Sequence, residues 1–179
     1  GSIQIRAYNA DGGVSDLDLN YSVAKNSKPL LSTMELPNFS FVHNFGKDVS
    51  ISSSTHLRNG GYLIGGTFLN SIRLGQNTLS KQGNINGFVS NLGIDGKIGL
   101  SLHLISSGSL TVGSILAGPD DELYIMGDFT DSLKVGPYSV TARGGSDLYI
   151  VQWSKEGALK NLTRLGGSGD EYFKKSIIV

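Results

Sequence analysis

The chain contains no cysteine. That removes disulfides, thiolate metal sites, iron–sulfur clusters and cysteine nucleophiles together. A small secreted module of vertebrate type often carries disulfides, whereas a bacterial surface or periplasmic module need not. A surplus of either charge is missing as well: Lys+Arg and Asp+Glu are both 15, so the formal net charge is zero. No block of like charges makes up for it. A general electrostatic grip on nucleic acid or on an anionic membrane is therefore not expected. No apolar run approaches the ~18 residues of a membrane-spanning helix, and no signal-peptide pattern opens the chain. Gly1-Ser2 reads as a cloning remnant, and the chain as an excised piece of something longer. Proline is scarce, at four residues.

Glycine is abundant by contrast, at 25 of 179 residues. Long helices do not tolerate that load, whereas tight turns and β-bulges require it. Hydrophobic residues make up 39%, enough for a real core. Residues 2–8 alternate, with Ile3, Ile5 and Ala7 on one side and Gln4, Arg6 and Tyr8 on the other. Leu17, Leu19, Tyr21 and Val23 alternate after the turn cluster Asn9-Ala10-Asp11-Gly12-Gly13. Two period-2 runs around a Gly-rich turn predict a β-hairpin. Residues 24–38 hold Pro29 and Pro37 and read as a linker, with a domain boundary near residue 30. This places 1–29 in one module and 30–179 in another.

The second module repeats itself. Leu63–Ile98 aligns with Tyr124–Leu159 without a gap, at a constant offset of 61 residues. The identical pairs are Ile64/Ile125, Gly66/Gly127, Phe68/Phe129, Ser71/Ser132, Gly75/Gly136, Gly83/Gly144 and Gly96/Gly157. A fixed period of this size means one structural unit copied in series. Each copy carries four strand-like runs, spanning about 49–105 and 112–165, with a small extra hairpin at Ile72–Ser80 and Leu133–Thr141. Phe39–Phe45 resembles the last strand of a preceding copy, and Tyr172–Val179 the first strand of a following one. The predicted fold is all-β: four-stranded antiparallel blades of a partial β-propeller, preceded by a β-hairpin. Gly66, Gly127, Gly75 and Gly136 are expected to serve close packing or positive φ. Phe68 and Phe129 anchor the blades, Gly96 and Gly157 mark turns, and Trp153, aligned with Leu92, packs in the core.

The residues Leu123–Phe129, Val135-Gly136, Gly144–Val151, Glu156–Leu159 and Leu165–Glu171 together resemble the bacterial SBBP-type β-propeller repeat. The first copy departs from it where Asn84-Ile85-Asn86-Gly87 leaves an amide at the acidic position. The segment Ile3–Asp16 is similar to the last hairpin of a bacterial immunoglobulin-like or cadherin-like domain. The resemblance implies a large surface or secreted bacterial protein, hence an extracellular or cell-surface location. The expected role is a non-catalytic scaffold or adhesion module that presents loops to protein or glycan. The remaining blades would come from the parent chain or a neighbouring one. The alternative is the frame of an enzyme (a hydrolase, lyase or quinone-dependent dehydrogenase) whose site lies mostly outside this stretch.

Candidate chemistry is sparse. Asn9, Asp11, Asp16 and Asp18 surround the first hairpin and could supply oxygens to Ca²⁺. Their spacing lacks the EF-hand order, so the competing reading is a solvated turn. No other cofactor is implied. His43 and His103 occupy matching positions of the last strand, and Arg164 takes that place in the next copy. Zinc would need three or four converging ligands, so these read as polar residues facing solvent. Asp120-Asp121-Glu122 reads as turn chemistry. Gly166-Gly167-Ser168-Gly169-Asp170 lacks the following helix of a phosphate loop and reads as an inter-blade loop.

Overall fold

Alternation of apolar and polar residues, punctuated by glycine turns, yields strands throughout the computed structural model. The structure describes residues 2–8, 14–20, 45–58, 60–118, 122–154 and 156–176. Fourteen strands and no helix are present among them, so no helix there is long and apolar enough to cross a membrane. The chain divides into two units, Gly1–Phe39 and Ser40–Val179.

The first unit contains the hairpin expected from the alternation. Strand β1 (Ser2–Tyr8) pairs antiparallel with β2 (Val14–Asn20), Ile5 opposite Leu17.

In the second unit, β3 (Val49–His56), β4 (Tyr62–Phe68), β7 (Ile85–Leu92) and β8 (Ile98–Ser106) form an antiparallel meander. Between β4 and β7 lies a hairpin, β5 (Ser71–Leu74) with β6 (Asn77–Ser80). A second meander follows: β9 (Ser114–Ala117), β10 (Leu123–Phe129), β13 (Asp147–Trp153) and β14 (Leu159–Leu165). Its hairpin is β11 (Ser132–Val135) with β12 (Tyr138–Thr141). The registers correspond. Gly66 faces Phe88 as Gly127 faces Tyr149, and the third and fourth strands carry a bulge at the same place, beside Leu92 and Trp153. Both small hairpins turn on two residues, Gly75-Gln76 and Gly136-Pro137. Only the first residue of each turn has positive φ, +61° and +55°. That is a type II′ turn, which wants glycine first and leaves the second place open to the fixed φ of Pro137.

The second hairpin does not stay with its own meander. Strand β11 pairs with β8, Lys134 opposite Ile105 and Val135 opposite Leu104. The first sheet thereby grows to six strands, in the order β12-β11-β8-β7-β4-β3.

Packing explains why. Leu63, Val89, Leu102 and Leu104 from one face of the first meander are buried with Ile125, Phe129, Tyr149, Val151 and Trp153 from the second, and with Leu133 and Val135 of the hairpin. Those two hairpin side chains are fully buried, and each such burial contributes about 1.5–3 kcal/mol. A smaller cluster, Ile64, Phe68, Ile72, Leu74 and Phe88, covers the opposite face of the first meander.

Gly66 and Gly127 permit close strand approach rather than unusual φ. A Cβ on Gly66 would sit 1.8 Å from the Ser50 carbonyl oxygen, and one on Gly127 2.1 Å from that of Thr111. The expected terminal strand at Tyr172–Val179 is not a strand over residues 172–176; 177–179, like 39–44 of Phe39–Phe45, lie outside the described residues.

Candidate functional site

Three of the six buried polar residues described in the second unit, Asn86, Ser146 and Asp147, lie where the third strand of a meander begins. Asp147 opens β13 and is fully buried. Its Oδ2 accepts a hydrogen bond from the Arg143 backbone N–H at 3.0 Å, and its Oδ1 one from Gly144 at 3.4 Å. Arg164, on β14, completes the set with an ion pair to Oδ2. The same guanidinium nitrogen donates to the Gly166 carbonyl at 2.9 Å. Burial pushes the Asp147 carboxyl upward, but the Arg143 N–H, Arg164 and the Gly144 N–H outweigh it and hold the pKa below the ordinary value.

A neutral version stands 61 residues earlier. Asn86 near the start of β7 is also fully buried. Its Oδ1 accepts from the Gln82 backbone N–H at 3.1 Å, in place of Arg143 to Asp147. His103 on β8 replaces Arg164, its Nε2 lying 3.1 Å from the same oxygen. The imidazole stacks on Phe68 with centroids 5.5 Å apart. Burial pushes its pKa below the usual 6.5. The Asn86 Nδ2 has no hydrogen-bond partner. The donor that an amide adds to a carboxylate therefore has nothing to meet.

These pairs correct one expectation. His103 is partly buried and Arg164 keeps only 17% of its side chain exposed, so neither is a polar residue projecting into solvent. In strand pairing, Phe88 lies opposite His103 and Tyr149 opposite Arg164. The base reaches past the aromatic residue to the buried Asx at the strand's start.

The glycine-rich loop after β14 packs against the same corner. Ser146 N–H donates to Asp170 Oδ1 at 3.1 Å, Glu171 N–H to the Ser146 carbonyl at 2.7 Å, and Gly167 N–H to Glu171 Oε2 at 3.1 Å. A Cβ on Gly144 would lie 1.6 Å from the Gly169 carbonyl oxygen. The carboxylates of Asp170 and Glu171 occupy these amides and oppose an incoming phosphate by charge.

The remaining candidates do not converge on this corner. Trp153 is buried in the core, and the buried Tyr149 hydroxyl donates to the Thr111 carbonyl at 2.8 Å. Burial, with Asp128 adding, pushes the Tyr149 pKa upward. Glu122 pairs with Lys160 and accepts from Gln152; Asp120 and Asp121 lie outside the described residues. His56 is exposed and meets the Tyr62 ring edge-on at 5.1 Å. His43, Asn9 and Asp11 lie outside the described residues. Asp16 and Asp18 sit on β2 in register with Arg6 and Gln4. Among the described residues no group of three or more His, Cys, Asp or Glu is arranged to hold a metal ion.

The Asx–base pairs escaped sequence reading because their partners are 17 residues apart. The signal available was the conjunction at one offset of Gln82/Arg143, Asn86/Asp147 and His103/Arg164. Chemically each pair is a lock between the third strand, the fourth strand and the preceding loop. The Asp147 carboxylate is enclosed and already bonded. No model of a known protein family matches the chain, and no curated protein matches it.

Proposed function

We propose that the chain is a non-catalytic extracellular scaffold: two successive blades of an SBBP-type β-propeller, joined to the closing hairpin of an immunoglobulin-like domain. Its place is a bacterial surface or secreted protein, where a rigid frame presents loops to protein or glycan. The observation that carries the reading is the serial placement of first strands. Ser52, re-aimed by the bulge in β3, donates through Oγ to the Val112 carbonyl just before β9 at 2.7 Å. Ser176 Oγ in turn donates to Ser114 Oγ of β9 at 2.7 Å. First strands that stand side by side are the arrangement of propeller blades.

The polar chemistry supports the non-catalytic half of the proposal, since the buried carboxylate is spent on a structural pair. Large apolar side chains are nevertheless exposed near the β3–β4 and β7–β8 turns: Ile94 at 71% and Tyr62 at 48%. Exposed aromatic and aliphatic groups beside turns suit contact with a partner.

The test is binding of the folded chain to arrayed glycans and to purified surface proteins, beside an Ile94→Ser/Tyr62→Ser variant of equal melting temperature. Retention that the variant weakens supports the proposal. Absence of binding on both panels, or turnover of any arrayed glycan, refutes it.

A further inference from the structure

The two faces of the second meander are covered unequally. Ile125, Phe129, Tyr149 and Val151 are buried against the first meander. The other face carries Tyr124, Met126, Leu148, Ile150, Thr163 and Leu165, as the registers of β10, β13 and β14 require. Leu165 is 47% exposed and the other five are partly exposed. A cleft of about 110 Å³ opens there between Met126, Leu148, Ile150, Leu165 and Phe173.

At the offset of 61, four of these positions correspond to Leu63, Val89, Leu102 and Leu104. That is the face of the first meander buried by the second. The edges correspond too. The end of β8, Leu104–Ser106, accepts β11. Its counterpart is Leu165–Gly167, where no strand is added among the described residues. Instead the Gly167 N–H is held by the Glu171 carboxylate, a charged side chain closing an open sheet edge.

The chain itself indicates what covers this face. Phe173 lies against Gly113 and Ser176 against Ser114, much as Val112 lies against Ser52. Residues 173–176 thus run beside β9 where a next first strand would start.

We infer that this face and the edge of β14 dock a further unit of the same kind. That unit enters along residues 173–176. The first strand of its inserted hairpin adds at Leu165–Gly167 and displaces the Glu171 carboxylate. Affinity comes from apolar burial on the face, and register from main-chain hydrogen bonds on the edge. The inference rests on the serial reading above, not on what the loops bind.

The experiment compares the 179-residue chain with one extended after Val179 by a second copy of residues 118–171, using hydrogen exchange resolved by residue. Amides of Leu165–Gly167 are expected to slow by about tenfold or more in the extended chain. Leu165→Asp, tolerated in the shorter chain, removes that protection. Appended residues that fold while Leu165–Gly167 exchange as before overturn the inference, and so do appended residues that stay unstructured. Leu104–Ser106 is the internal control. Fast exchange there in the shorter chain overturns the serial reading itself, whereas protection there with none at Leu165–Gly167 overturns only the docking.

Discussion

Asn86→Asp converts the neutral lock of the first meander into the chemistry of the second, and its consequence depends on pH. The parent buries an amide whose Nδ2 lacks a partner, a defect that costs about 1–3 kcal/mol. The substitution removes that donor but introduces a carboxylate at a fully buried position. Beyond the Gln82 N–H, the carboxylate gains an opposite charge from His103 when that imidazole is protonated; a buried charge without its partner costs about 3–5 kcal/mol. In the parent, burial lowers the His103 pKa below 6.5. The unfolded chain then binds more protons as pH falls through that value, and parent stability declines on acidification. In Asn86→Asp the new charge raises the folded His103 pKa. Its contribution is complete below about pH 6.5 and is lost as pH rises through the folded pKa. The variant is therefore less stable than the parent at pH 8 and as stable or more stable at pH 5. The charge stranded at high pH sets the swing at about 3 kcal/mol, the lower end of the cost of a buried charge without its partner. That corresponds to roughly 5–10 °C in melting temperature for a domain of this size. Urea titrations at pH 5 to 8 measure it, followed by the fluorescence of Trp153, the chain's one tryptophan. Parallel pH profiles for the two proteins would refute the reasoning.

Arg164→Met should cost about 3–5 kcal/mol near neutral pH, because it strands the buried Asp147 carboxylate; the loss shrinks as pH falls and the carboxyl protonates, which denaturation at pH 7 and pH 4 checks. Tyr149→Phe should cost about 1–2 kcal/mol by leaving the Thr111 carbonyl without its hydroxyl donor, measured by urea titration. Gly66→Ala should prevent the first meander from closing on β3, since its Cβ meets backbone at 1.8 Å. Gly136→Ala, whose Cβ would meet the Leu159 Cδ2 at 3.0 Å but no backbone, and whose φ is +55°, should cost only about 1–2 kcal/mol. Thermal melts of these two glycine variants separate close approach from backbone strain.

Strand positions followed from the chain alone where one face is buried. Leu123–Phe129 alternates between buried and half-buried residues along its whole length, and period 2 is what such a strand must show. The Asx–base locks were far less visible. Nothing local marks His103 as the partner of Asn86, because the pairing depends on how β7 and β8 lie side by side.

The sequence by itself determined the periodicity, the glycines at tight turns and the apolar faces, because each is a local property of side-chain size and conformational freedom. Only tertiary structure decided that β11 leaves its own meander to extend the neighbouring sheet along β8. Main-chain hydrogen bonds are the same for every residue type and carry no address, so a strand's partner is selected by the burial that its position permits. Here that selection is the joint burial of Leu133 and Val135 with Leu102 and Leu104.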